Sequence, residues 1–160
     1  MAQPDQEPNT PALRLHAVDV EDLALVSAVL QDMLVRVGDI AFLPQEGRFA
    51  LVGARFDHVA ERDGRLERCR SGLHFETVVG VRYRGILRDR PDAILSLLAV
   101  TFEAGPDEPS GAVNLLVAGG GAIRLEVECV EAQMRDIGPR WAVKSRPSHD
   151  PGPDASSEQV

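Results

Sequence analysis

Hydrophobic spacing divides the chain into one helical segment and a long run of strands. Leu23, Val26, Leu30 and Met33 recur at three- and four-residue intervals, which sets one stripe of a helix against a core. Asp19 is placed to cap that helix, and Glu21 and Asp22 put negative charge in its first turn, where the backbone dipole favours it. From residue 39 onward the period changes to two. Residues 39–43 and 48–56 flank Pro44-Gln45-Glu46-Gly47, a four-residue hairpin loop. Across residues 73–84, Leu73, Phe75, Val79, Val81 and Tyr83 fall on one face, and His74, Glu76, Arg82 and Arg84 on the other; this is the pattern of a single half-covered strand. Residues 94–102 are apolar on both faces, which predicts a central strand covered on both sides. Residues 113–117 and 123–129 form a hairpin across Ala118-Gly119-Gly120-Gly121, with Cys129 in phase with Ile123, Leu125 and Val127 as a small buried hydrophobe.

A short strand, a helix and then six or more strands with short links favour antiparallel pairing, since parallel neighbours need long crossovers. The predicted class is α+β: a strongly twisted antiparallel sheet or incomplete barrel with one N-terminal helix packed against it. The early helix counts against a pleckstrin-homology-like barrel, which carries its helix at the end. Six of the eleven prolines lie in the two ends of the chain, which are polar and poor in large apolar residues. Such segments bury too little to offset the entropy of ordering. The expected organisation is a disordered tail over 1–12, a single globular domain over 13–145 and a mostly disordered tail over 146–160, with a loop at 104–111.

Composition narrows the function classes. The 160 residues carry a net charge of −8, and the two cysteines make no disulfide framework. The longest apolar stretch, residues 93–100, is too short to cross a bilayer, and the first residues lack the basic start and apolar segment of a secretory signal. A cytoplasmic protein is expected, with no membrane contact. An acidic body also repels nucleic-acid phosphates, so no nucleic-acid partner is expected. Sixteen of the 17 basic residues are arginine, spread along the whole chain, which reads as a GC-rich bacterial coding preference. One local departure matters more. Residues 55–90 hold nine arginines against six acids, a balance of +3 that leaves −11 for the remainder.

No catalytic motif accompanies that departure. The triple glycine at 119–121 lacks the lysine and following helix of a phosphate loop, and glycines between alternating strands serve a tight turn. His16, His58, His74 and His149 show no metal-ligand spacing. Cys69, among arginines in ERCRS, has positive neighbours that favour a thiolate but no paired base. No catalytic residue, metal or cofactor is expected. The candidate ligand-binding set is His74, Glu76, Arg82, Arg84 and Arg88, since clustered arginines grip carboxylates and phosphates bidentately. The leading expectation is a non-catalytic binding or accessory module that recognises an anionic small molecule or an acidic protein partner. The alternative is a small-molecule enzyme with His74, Glu76, Arg82 and Arg84 on one sheet face, doing acid–base work on an anionic substrate.

The strings EDLALVSAVLQDMLVRVGDIAFLP, RFALVGARF, LHFETVVGVRYRGI, AILSLLAVTFE, GGGAIRLEVECVEAQMRDIG and RWAVKSRPSHD occur in collinear order over about residues 13–150. Together they resemble an alphaproteobacterial family of unknown function whose genes often lie beside histidinol dehydrogenase. The resemblance implies a housekeeping cytoplasmic role and assigns no activity or site residue. It also implies that a closing segment, Trp141 with the Pro147-Ser148-His149 run, packs back onto the domain with Trp141 as its anchor, which moves the domain boundary outward by several residues.

Overall fold

A computed structural model describes residues 12–147. His149 and nearly all of both expected tails lie outside the described residues. β1 (Arg14–Ala17) leads into α1 (Val20–Leu30). Asp19 caps α1 as expected, its Oδ1 accepting a hydrogen bond from the Asp22 amide at 2.7 Å. Leu23, Val26 and Leu30 are buried along the helix, whereas Met33, fully buried, lies past its end, because Asp32 at φ +73° turns the chain out of helical geometry.

β2 (Leu34–Leu43) and β3 (Arg48–Phe56) make the first hairpin, followed by the short α2 (His58–Arg62) and β4 (Glu67–Phe75). β5 (Val78–Arg84), β6 (Ile94–Ala104), β7 (Gly111–Val117), β8 (Ala122–Val127) and β9 (Ala132–Ala142) complete the fold. Among the described residues one sheet runs in the order β1-β9-β4-β3-β2-β6-β7-β8-β5, with every neighbouring pair antiparallel. β1 and β5 end that order without pairing to each other, so the sheet is bent but open. This is the α+β architecture that the short connections imply. No helix among the described residues is long and apolar enough to cross a membrane.

Register builds the core. Leu15, Met134, Leu73, Leu51 and Ile40 stand opposite one another across β1, β9, β4, β3 and β2. Tyr83, Ile123, Leu115 and Val100 do the same across β5, β8, β7 and β6. Both rows and the buried stripe of α1 belong to one apolar cluster, so the helix fills the inside of the bent sheet. Gly119 and Gly120, at φ +92° and +96°, supply the left-handed backbone of the β7–β8 turn.

The sequence expectations are corrected at several points. Residues 73–84 are two strands, because Thr77 at φ +57° redirects the chain out of β4 into β5 at the opposite end of the strand order. Residues 94–102 are covered on one face only. Leu95, Leu97 and Val100 are buried, but Ile94 and Leu98 are 61% and 40% exposed, since α1 sits on the core side and leaves the outer face of β6 bare. The stretch following residue 129 includes a strand that the alternation does not predict: β9 is internal, between β1 and β4, and it carries Trp141 onto the domain opposite Arg68, with Trp141 42% exposed. Cys129 lies beyond β8 in the link to β9 and is only partly buried, while Cys69 is the buried cysteine.

The position of Leu98 gives a direct test. Leu98→Asp is expected to fold cooperatively and to lose only about 1 kcal/mol in urea denaturation, because a half-exposed side chain has little burial to forfeit. An unfolded variant would place this face inside a core.

Candidate functional site

The five residues singled out in the sequence separate into two groups. His74 near the end of β4 and Glu76 just beyond it come together, with His74 Nδ1 2.6 Å from Glu76 Oε2. Arg48 of β3 donates through Nε to the same oxygen at 2.8 Å. Burial alone would raise the Glu76 carboxyl, but the hydrogen bonds from Arg48 and His74 outweigh it and hold it below the usual carboxylate range. Arg82 and Arg84 project from β5, on a different strand, and Arg88 follows in the turn with its guanidinium carbon 4.1 Å above the centre of the Tyr83 ring. The arrangement of His74, Glu76, Arg82 and Arg84 on one strand face therefore does not occur. His74 and Glu76 acquire Arg48 as their cation instead.

β5 ends the sheet, and Tyr83 and Val81 turn toward the core, so Arg82 and Arg84 face solvent. Arg82 stands opposite Arg124 of β8. Arg124 takes the available acids, Glu103 at 2.5 Å and Glu126 at 2.9 Å, whereas no carboxylate among the described residues lies within ion-pair distance of Arg82 or Arg84. Two other arginines of the basic segment are used differently. Arg68 donates to the carbonyls of Asp32 and Ala54, both at 2.9 Å, and Arg55 is drawn inside.

Arg55 belongs to a buried ionic network at the opposite end of the molecule's strand order. On β3, β4 and β9 the core-facing positions end in polar groups: Arg55 follows Phe49, Leu51 and Gly53; Ser71 precedes Leu73 and Phe75; Asp136 follows Ala132 and Met134. Register brings them together. Arg55 grips Asp136 bidentately, Nε to Oδ1 at 2.7 Å and Nη2 to Oδ2 at 2.9 Å. Ser71 Oγ donates to Oδ1 at 2.7 Å and the Leu13 amide to Oδ2 at 2.9 Å. The two side chains are 7% and 4% exposed, so the pair is desolvated and depends on these contacts. Burial pushes the Asp136 carboxyl up, but Arg55, the Leu13 amide and Ser71 overcome it and bring the group from 3.8 down to about 2.

A second pair stands beside the first. Asp57 accepts from the Val59 and Ala60 amides of α2 at 3.0 and 2.9 Å through Oδ1, and its other oxygen takes Nη1 of Arg140. Burial pushes the Cys69 thiol up, and Asp136 adds to this against the opposing Arg55 and Arg140 charges. The thiol activation that neighbouring arginines suggest in the sequence is thus reversed by burial. The network borders a cleft of about 330 Å³ between α1 and α2. Sequence reading passes over these residues, although a charge at a core-facing position of an alternating strand is the signal that could have found Arg55.

Residues 13–149 match the family model described as a protein of unknown function, DUF2948. The chain belongs to that family. Its span takes in the whole DUF2948 sheet from β1 to β9, the β5 arginines and every member of the ionic network from Leu13 to Arg140. No curated protein and no solved structure matches the DUF2948 chain. The site's own chemistry therefore carries the functional argument.

Proposed function

We propose that this protein is a non-catalytic cytoplasmic module of a bacterial cell that binds an acidic partner segment along the edge strand β5. The observation that carries the reading is the condition of Arg82 and Arg84. Both are exposed on the last strand of the sheet, and neither has a carboxylate within ion-pair distance among the described residues, in a chain of net charge −8. An edge strand offers backbone N–H and C=O groups to an added strand, and the side chains beside it set the preferred sequence. Arg88, held over Tyr83, extends positive charge beyond the strand end. The alphaproteobacterial kinship and the gene neighbourhood beside histidinol dehydrogenase, implied by the sequence resemblance, fit an accessory role of this kind.

A fluorescein-labelled peptide of alternating glutamate and valine tests the reading, with its lysine counterpart as control. The acidic peptide is expected to bind and to weaken with added salt, because screening acts over roughly 8 Å at physiological ionic strength. Arg82→Glu with Arg84→Glu should cut its affinity by about ten-fold or more while shifting stability by no more than about 1 kcal/mol, the worth of exposed charges. Equal binding of the lysine peptide, or undiminished binding by the double variant, would overturn the proposal.

A further inference from the structure

The cleft between α1 and α2 is independent of β5 and carries a separate inference. Its walls are apolar: Ala28 and Val29 of α1 face Phe56 and Val59. Val59 is 65% exposed, so an apolar surface is left uncovered at the mouth. Its charged lining is unbalanced, with Arg55, Arg62, Arg65 and Arg140 against the single carboxylate of Asp57.

Two of those arginines are already spoken for inside the protein. Arg55 is held by Asp136 and Arg140 by Asp57. The other two differ. Arg62 has no carboxylate within ion-pair distance among the described residues. Arg65 Nε is buried yet makes no hydrogen bond, with Glu67 Oε2 3.5 Å away, and its Nη1 reaches the exposed Asp63 only at 3.8 Å. That nitrogen is closed off, but the Arg65 side chain as a whole is 37% exposed, so the outer part of its guanidinium is open to an acceptor oxygen entering the cleft.

The volume, about 330 Å³, lies at the small end of ligand pockets and suits one compact molecule. We infer that the cleft binds a small amphiphilic carboxylate, its head on Arg62 and Arg65 and its apolar body between Val29, Phe56 and Val59. The apolar walls argue against an inorganic anion, which would leave them wet, and the arginines argue against a cation.

Octanoate is the probe, titrated into the full-length protein labelled for methyl NMR, with octylammonium and inorganic phosphate as controls. Octanoate is expected to shift the methyl signals of Ala28, Val29 and Val59 saturably, and neither control should do so at the same concentrations. Arg62→Gln with Arg65→Gln should weaken binding about ten-fold or more, as expected when charge-assisted hydrogen bonds are lost. Val59→Asp, at an exposed position that leaves folding intact, should abolish it by placing a negative charge at the mouth. Arg82→Glu with Arg84→Glu should leave octanoate binding unchanged, which separates this site from the β5 proposal. Equal shifts with octylammonium or with phosphate, no methyl shifts with octanoate, or wild-type affinity in both cleft variants would overturn the inference.

Discussion

Asp136→Ala is expected to remove about 3–5 kcal/mol of stability, because it leaves the Arg55 guanidinium buried and without its counter-charge. That is a large share of the roughly 5–15 kcal/mol that holds an ordinary domain together. The loss also removes the acceptor of the Leu13 amide and leaves the Ser71 hydroxyl only the longer bond to the Cys69 carbonyl, at 3.4 Å. Urea denaturation at neutral pH measures it. Replacing both partners with apolar residues, Arg55→Met with Asp136→Leu, should recover much of the loss, because neither charge of this pair is then left buried without the other. An unchanged midpoint for Asp136→Ala would mean that the pair contributes nothing.

The same carboxylate predicts an acid dependence. Its folded pKa, about 2, lies below the ordinary 3.8, so the folded state favours the ionised form. The resulting stabilisation, roughly 2 kcal/mol, is fully present above pH 4 and disappears as pH falls through about 2. The gap between wild type and Asp136→Ala should therefore narrow over that window. A gap independent of pH would show that the effect is packing alone.

Gly53→Ala should be nearly as damaging, costing about 3 kcal/mol or yielding insoluble protein. A Cβ there would stand 2.4 Å from the Leu34 carbonyl oxygen, 2.8 Å from Val35 Cγ2 and 3.1 Å from Met33 Cε. The first of these is backbone of the neighbouring strand β2, locked by its pairing with β3, so it cannot swing aside. Gly80→Ala in β5 is the matching control. Its Cβ meets only Glu126 Cγ at 3.9 Å, and the change should be within about 0.5 kcal/mol of wild type. Comparable urea midpoints for the two variants would contradict the close approach of β2 to β3.

Local patterns determined much of this protein. The Asp19 cap, the Leu23-Val26-Leu30 stripe, the hairpin loop at 44–47 and the glycine turn at 119–120 are legible because each depends on a few adjacent residues. Short links between alternating segments likewise imply an antiparallel α+β sheet. Alternation shows which side chains share a face, but not what covers that face. This is why the outer side of β6 proves bare and why β9, whose alternation is broken by charges, goes unread. A left-handed residue at Thr77 is equally invisible to periodicity, yet it separates His74 and Glu76 from Arg82 and Arg84. Arg55 and Asp136 are 81 residues apart, and only the register of β3, β4 and β9 makes them one buried ion pair. Periodicity is a property of neighbours in the chain, whereas desolvation and charge pairing are properties of neighbours in space.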